Sequence, residues 1–161
     1  MKGIAIGLSY RSEVILKRLK KTDFIDEIYI ACSTNKERTE EKIIPLIKPK
    51  KIFKEKWKDI DLIIIVGSIG ASIRLINSFL TSKDQDPGVI VIDNKCNTIV
   101  PLIGLHQSNI QNIALQISNL FGGQIIETNN SNDKSYLNLD SFGNQWGWKD
   151  LAKYKSGQNL L

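Results

Sequence analysis

Runs of consecutive apolar residues alternate along this chain with segments whose apolar positions recur every three to four residues. The runs GIAIGL, EIYIAC, DLIIIV and VIVID each suffice for one strand, and their continuous apolar character is typical of strands buried on both faces. The intervening segments SEVILKRL and ASIRLINSFL have the periodicity of amphipathic helices. The alternation predicts an α/β fold: a doubly wound, mostly parallel sheet with helices on both faces.

The remaining elements follow from the same pattern. After the turn NKCN, TIVPLI is predicted to be extended, HQSNIQNIALQISNLF to be helical, and QIIET to return as a final strand. Residues 33–58 give the weakest pattern, because Pro45 and Pro49 interrupt any long helix, and only a short helix over 38–47 is predicted. The first helix is predicted to have Ser9 or Ser12 as its N-cap. The residues expected on the buried sides of the first and last helices are Val14, Ile15, Leu16 and Leu19, and Ile110, Ile113, Ala114 and Ile117.

Composition indicates one globular domain. The chain has 161 residues, of which 42% are hydrophobic and 24% charged, and its longest apolar run is far too short to span a bilayer. No signal-peptide pattern precedes the first strand, so a cytoplasmic protein is expected. Cys32 and Cys96 are isolated and are expected to be reduced thiols rather than zinc ligands. The α/β domain is predicted over residues 1–128, followed by a linker and an aromatic segment over 129–161.

The net charge of +5 is concentrated in one segment. Between Lys36 and Lys58 there are nine Lys or Arg and four Glu residues, a surplus of five, so the rest of the chain is neutral. Such a strip is compatible with a polyanionic ligand, an acidic surface or a solvated connection. No recognised nucleic-acid-binding module accompanies it, so nucleic acid is not an expected partner.

The stretch VGSIGASIRLI places two glycines between a buried strand and a helix. Gly67 and Gly70 form GxxG rather than the dinucleotide fingerprint GxGxxG, because Ile69 occupies the position of the middle glycine. A P-loop is excluded because no GK[ST] follows. A tight turn without a ligand and an anion site at the helix N-terminus both remain open. Because ligands of doubly wound sheets lie at the carboxyl ends of the strands, the Ser9 loop, the Gly67 turn, Asp93 and the 105–106 turn are expected at one edge.

The residues around this turn carry a family resemblance. The stretch VGSIGASIRLINSFLTSKDQDPGVIVIDNKCNTIVPLIGLHQ resembles the N-terminal domain of the CbiG family, the cobalt-precorrin-5A hydrolases of anaerobic cobalamin biosynthesis. The resemblance runs from the first strand through QIIETNN and continues weakly in LDSFGNQWGW, which is similar to the start of the family's middle segment. The positions that meet the family pattern are Gly67, Gly70, Arg74, Ile76, Leu80, Lys83, Asp86, Pro87, Val89, Val91, Asp93 and His106.

The resemblance implies a reaction on a cobalt-containing contracted macrocycle, in which water opens a δ-lactone and a two-carbon fragment leaves as acetaldehyde. The chain would be this hydrolase or its substrate-holding domain. Cobalt is carried by the substrate, and no protein-bound cofactor or metal is implied. The implied partners are the anionic cobalt-tetrapyrrole and further CbiG domains or other cobalamin-pathway enzymes, with no membrane. A basic protein suits an apolar ring edged with carboxylates.

The resemblance also implies roles for individual residues. The catalytic candidates are His106, Asp86 and Asp93, with the imidazole as general base because it titrates near neutral pH. The substrate-binding candidates are Gly67, Ser68, Gly70, Arg74 and Lys83. Each has a simpler structural alternative, namely helix capping by His106, a surface ion pair of Arg74 with Asp84 or Asp86, a turn at Asp86-Pro87, capping of the NKCN turn by Asp93, and solvation of Lys83.

Two alternative functions remain open from the sequence. One is a non-catalytic tetrapyrrole-binding module, because the family's small-residue turn after the histidine is replaced by Ser108-Asn109-Ile110-Gln111 and the glycine before it by Leu105. The other is a nucleotide-binding domain built on the Gly67 turn.

Overall fold

The computed structural model describes residues 1–31, 43–46, 48–104 and 108–126. This part of the chain forms seven strands, four α-helices and two short 3₁₀ turns, Tyr10–Ser12 and Trp57–Asp59. The strands are β1 (Gly3–Gly7), β2 (Glu27–Ala31), β3 (Ile43–Leu46), β4 (Leu62–Val66), β5 (Gly88–Ile92), β6 (Thr98–Ile103) and β7 (Gln124–Ile125). The helices are α1 (Glu13–Leu19), α2 (Lys50–Lys56), α3 (Ile69–Ile76) and α4 (Ser108–Phe121).

All seven strands belong to one sheet, in the order β3-β2-β1-β4-β5-β6-β7. Strands β1 to β5 are mutually parallel, β6 pairs antiparallel with β5, and β7 pairs parallel with β6. The predicted mostly parallel α/β sheet is therefore confirmed. We call the side on which β1 to β5 end the carboxyl edge, and the opposite side the amino edge.

Helices cover both faces of the sheet, which is why the central strands are apolar without alternation. Helices α1 and α4 pack on one face with Ile64, while α2 and α3 pack on the other with Ile63 and Ile65. The predicted inner face of α4 is confirmed, because all four of its expected residues are buried. In α1 the expectation for Val14 is wrong: its side chain is 70% exposed.

Residues 43–46 and 50–58 of the lysine-rich region form regular structure that the sequence pattern does not predict. Ile43–Leu46 is strand β3, because Ile43 pairs with Ile28 and Pro45 with Ile30 in the outermost position of the sheet. The helix expected over these residues is therefore wrong. A proline is compatible with an edge strand, because its missing N–H removes no central ladder bond. The basic segment that follows is helix α2, whose Ile52 and Phe53 are buried while Lys50, Lys51 and Lys54 are exposed.

The direction of β6 places its last residues at the amino edge. Ile103 lies opposite Val89 at the start of β5, and a Cβ on Gly104 would lie 2.8 Å from Cα of Gly88. At the start of α4, Nδ2 of Asn109 donates to Sδ of Met1 over 3.0 Å. Both described flanks of residues 105–107 therefore lie at the amino edge.

Several sequence expectations fall on residues outside the described ranges. They concern Cys32, the edge at which the 105–106 turn lies, His106 and the segment predicted over 129–161. Among the described helices, none combines the length and apolar character that crossing a membrane requires.

Candidate functional site

The Gly67 turn joins β4 to α3 at the carboxyl edge. The N–H of Gly67 donates to the carbonyl of Ile92 over 2.8 Å, so it continues the sheet and is not available to a ligand. A Cβ at position 67 would lie 2.8 Å from Cδ1 of Leu8, whose own N–H donates to the carbonyl of Val66. The glycine thus accommodates the chain leaving β1, and the tight-turn interpretation holds for this residue.

The start of α3 offers free donors beside that turn. Ser68 is the extended N-cap, and its hydroxyl accepts from the N–H of Ala71 over 3.3 Å. None of the described residues accepts from the N–H of Ile69 or Gly70, which belong to the first turn, where helical partners are missing. Backbone N–H groups and the helix dipole favour an anion at this point.

Arg74 brings a cation to the same helix end. Its side chain is exposed and runs back along α3, so that a Cβ at Gly70 would lie 3.6 Å from Nη1 of Arg74. Within the described part of the chain Arg74 forms no ion pair with Asp84 or Asp86, so the surface-pair alternative is wrong. Gly70 itself has an ordinary helical conformation and is exposed. The guanidinium is therefore free to assist an anion bound at the first turn.

Asp93 closes the turn after β5. Its Oδ1 accepts from the N–H of Thr98 over 3.1 Å, and its carbonyl accepts from the N–H of Cys96 over 3.0 Å. Asp93 therefore caps the NKCN turn, which was the structural alternative to a catalytic role. Cys96 has a positive φ of 58° in this turn, and burial, followed by the charge of Asp93, raises the pKa of its thiol. The carboxylate of Asp93 remains partly exposed toward the Gly67 turn.

A cavity of about 230 Å³ lies between these two turns. Ser68 and Ile69 form one side, and Asp93 and Thr98 the other. Ile69, at the rim of this cavity, and Ile73 are 43% and 47% exposed and form an apolar strip on α3 beside Arg74. The carboxyl edge thus combines a small recess, free N–H groups, a guanidinium and an exposed apolar surface.

The loop after β1 adds a polar group whose role the sequence did not show. The hydroxyl of Ser9 is buried, and no described residue forms a hydrogen bond with it. Ser12 contacts Oδ1 of Asn94 over 3.5 Å, which joins this loop to the Asp93 turn. Ser12 is the N-cap residue of α1, as predicted, but neither serine caps the helix through its side chain.

Two predicted site residues lie at the other edge. Lys83 and Asp86 belong to the connection that precedes β5, whereas Asp93 follows β5. A five-residue strand separates these ends by about 17 Å at about 3.4 Å per residue. Lys83 is exposed, while Asp86 is buried and accepts hydrogen bonds from Thr81 and Trp57. The structure therefore brings Gly67, Ser68, Gly70, Arg74 and Asp93 together and separates Lys83 and Asp86 from them.

A second polar group, formed by Glu27, Tyr29 and Lys56, lies on the face of β2 that α2 covers. It was not predicted from the sequence. The hydroxyl of Tyr29 donates to Oε2 of Glu27, and Nζ of Lys56 donates to the same oxygen over 2.5 Å. The bond from Lys56, followed by that from Tyr29, lowers the pKa of Glu27, and the bond to Glu27 raises the pKa of Lys56. Burial and the bond to Glu27 raise the pKa of the Tyr29 phenol. The alternation of Glu27, Ile28 and Tyr29 is the only sequence signal, since it places both polar groups on one face.

Metal-ligating side chains are not gathered in the described part of the chain. No group of three His, Cys, Asp or Glu residues is close enough there to hold an ion.

Comparisons with known proteins agree on one family. A sequence profile described as cobalamin synthesis G N-terminal matches residues 51–132. A cobalt-precorrin-5A hydrolase from Priestia megaterium is 28% identical over 86 residues, which are 53% of this chain and 23% of that protein. The chain thus spans about a quarter of the length of the curated relative it matches.

Solved structures resemble the fold. A cobalamin biosynthesis protein G homologue from Sulfolobus solfataricus has a TM-score of 0.58 at 24% identity, covering 79% of this chain and 36% of the homologue. A homoserine dehydrogenase from S. aureus has a TM-score of 0.37 at 14% identity, covering 78% and 32%, which is too distant to support an argument. The similarity to the first structure supports the α/β architecture.

Proposed function

The chain belongs to the cobalamin synthesis G N-terminal family, and we propose that it forms the substrate-holding domain of a cobalt-precorrin-5A hydrolase. Its ligand is then an anionic cobalt-tetrapyrrole, which brings its own cobalt. The observation that carries the proposal is the position of Arg74, whose guanidinium folds back onto the first turn of α3. A carboxylate there meets two free N–H groups and a cation.

The chemistry of the carboxyl edge matches such a substrate in two respects. Charge-assisted hydrogen bonds from a guanidinium and from a helix start suit the carboxylates at the ring margin. The exposed strip of Ile69 and Ile73 suits the apolar ring, because an apolar surface on both partners leaves water on contact. The recess of about 230 Å³ is small, so we propose that it receives a side chain of the macrocycle, while the ring lies on the strip.

The geometry favours substrate holding over complete catalysis by these residues. The carboxylate of Asp93 bonds the turn that it closes, and Asp86 is buried at the amino edge. The described flanks of His106 also lie at the amino edge. We therefore propose that the water that opens the lactone is activated by groups outside the carboxyl-edge site, contributed by further domains of the enzyme or by His106 from another molecule.

Binding is tested by titrating the chain with cobalt-precorrin-5A and following tryptophan fluorescence. Arg74→Gln is expected to weaken binding about tenfold, the effect of losing one charge-assisted hydrogen bond. The matched control is Lys21→Gln, which removes the same charge from an exposed residue at the amino edge and should change the dissociation constant less than twofold. Equal weakening by both variants would contradict the site.

The chemical step is tested separately by measuring acetaldehyde release. A chain that binds the substrate and releases no acetaldehyde is the expected result. Release that His106→Ala lowers by about a hundredfold or more, the usual contribution of a general base, would instead make this chain a complete hydrolase. Binding without release even in the presence of the other domains of the enzyme would favour a non-catalytic binding module.

A further inference from the structure

A larger cavity, of about 520 Å³, lies between strands β2 and β3 and helix α2, away from the Gly67 turn and Arg74. Its apolar wall comes from Ile44 and Leu46 of β3 and from Ile52 of α2. Its volume lies in the range of small-molecule sites, which are about 300–1,000 Å³ and mostly apolar with a few fixed polar groups. We call this cavity the β3–α2 groove.

Lys56 is the fixed polar group of the β3–α2 groove. Its ammonium donates to Glu27 over 2.5 Å and to the hydroxyl of Tyr29 over 3.1 Å, and it lies 5.8 Å from the centre of the Tyr29 ring. An ammonium has three N–H donors, so one remains after these two bonds. The side chain of Lys56 is 29% exposed and lines the groove, and the third donor is therefore accessible to an acceptor within it.

The charge around the groove favours a ligand with a single negative charge. Lys48, Lys51 and Lys56 line it together with Glu27 and Glu55, a surplus of one positive charge. Lys51 and Glu55 are both exposed and 3.7 Å apart, a pair too weak to hold Lys51 away from another anion. A single carboxylate is enough to neutralise this surplus.

We propose that the β3–α2 groove binds a small organic monocarboxylate with an apolar body. The carboxylate accepts from the third N–H of Lys56 and approaches Lys48 and Lys51 at the rim. The apolar body covers Ile44, Leu46 and Ile52. The site is independent of the proposed function, because its residues belong to β2, β3, α2 and, for Lys48, the segment before α2. None of them lies beside Arg74 or the Gly67 turn.

The probe is 1-naphthaleneacetate, and 1-naphthaleneacetamide is its uncharged counterpart with the same ring. Each is titrated into the ¹⁵N-labelled chain, and amide chemical shifts are followed by NMR. The carboxylate should shift the amides of Tyr29, Leu46 and Ile52 and bind at least fivefold more tightly than the amide. Equal affinities, or shifts confined to other parts of the sheet, would overturn the proposal.

Two double variants separate the groove from general electrostatics. Lys48→Gln with Lys51→Gln removes two lysines from the lining and should weaken the carboxylate at least fivefold while leaving the amide within twofold. Lys50→Gln with Lys54→Gln removes the same charge from exposed positions of α2 outside the lining and should leave the carboxylate within twofold. The same weakening by both double variants would overturn the proposal.

A final titration identifies the source of the carboxylate. Uroporphyrin I, a tetrapyrrole with eight carboxylates, is added to the parent chain and to the Lys48→Gln, Lys51→Gln variant. Shifts of the groove amides that this variant abolishes would assign the groove to a side chain of the macrocycle. Groove shifts with naphthaleneacetate alone would assign it to a free carboxylate. Both results support the groove as a carboxylate site, and failure of uroporphyrin to bind at α3 would affect only the proposed function.

Discussion

The indole Nε1 of Trp57 donates a hydrogen bond of 3.3 Å to Oδ1 of Asp86, across 29 residues of sequence. The carboxylate also accepts from the N–H of Thr81 over 3.0 Å and from its hydroxyl over 2.9 Å. Trp57 in turn stacks on Phe79 with the ring centres 5.6 Å apart. Asp86 therefore ties the end of α2 to the connection before β5, which gives this predicted catalytic residue a structural role.

Replacing Asp86 with Ala should destabilise the fold by about 2–3 kcal/mol, because the buried indole N–H of Trp57 and the two donors of Thr81 would lose their acceptor. Urea unfolding followed by tryptophan fluorescence measures the loss. Asp84→Ala is the control, since Asp84 is exposed in the same connection and should change stability by less than about 0.5 kcal/mol. A stable Asp86→Ala chain that still binds substrate but fails to support its hydrolysis would restore a catalytic role.

The sequence predicted strand β6 but not its direction. The sequence indicated a turn at NKCN and an extended segment after it. Parallel strands need a crossover of about a dozen residues or more, so a connection this short requires β6 to run antiparallel. Strand direction then determines the edge at which the following residues lie. For this reason the Gly67 turn was predicted at its observed edge, whereas Gly104 and the start of α4, which flank the predicted 105–106 turn, lie at the opposite edge.

Elements with a clear apolar run or helical periodicity were predicted, whereas β3 and α2 were not. DLIIIV and VIVID have one compatible structure, a strand covered on both faces, and both were identified. In β3 and α2 the apolar residues are few, and prolines and lysines surround them. Their burial depends on contacts with β2 and α3 that no local pattern encodes. The same dependence on tertiary contacts concealed the pairing of Glu27 with Lys56.

Ser68 allows the structural and ligand-binding roles of the α3 start to be separated. Ser68→Ala removes the acceptor for Ala71 and should lower the free energy of unfolding by about 1 kcal/mol. Ser68→Asp retains a capping oxygen, so stability should stay within about 0.5 kcal/mol of the parent. Its negative charge should nevertheless weaken cobalt-precorrin-5A binding at least fivefold. Ser78→Ala, at an exposed position beyond the helix, is the control for both measurements. Undiminished affinity in Ser68→Asp would argue against an anion at this helix end.

The glycines of two turns should respond in opposite directions to alanine. Gly70 is helical and a Cβ there meets nothing closer than Nη1 of Arg74, so Gly70→Ala should stabilise the chain by about 0.5–1 kcal/mol. Gly104 has a φ of +82°, and a Cβ would lie 2.8 Å from Cα of Gly88. Gly104→Ala should therefore cost about 2 kcal/mol or more. Thermal unfolding by circular dichroism compares them, and a destabilised Gly70→Ala would show that this position needs a glycine for another reason.

The pair formed by Glu27 and Lys56 should make stability depend on pH in the acid range. Lys56 lowers the pKa of Glu27 below its ordinary value of 4.5, so the pair's contribution is present above pH 4.5 and is lost as pH falls through the lower pKa of the folded state. At the basic end, the raised pKa of Lys56 means that its contribution is present below its ordinary value of 10.5 and is lost as pH rises through the folded pKa.

Lys56→Met should therefore cost about 0.5–1 kcal/mol at pH 7, in the range of partly exposed pairs, and progressively less below pH 4.5. Urea unfolding at pH 7, 5, 4 and 3 measures the difference from the parent chain. Lys51→Met is the control, because the exposed pair of Lys51 with Glu55 on the same helix should contribute almost nothing at any pH. A difference between Lys56→Met and the parent that stays constant from pH 7 to pH 3 would show that Lys56 acts through packing alone.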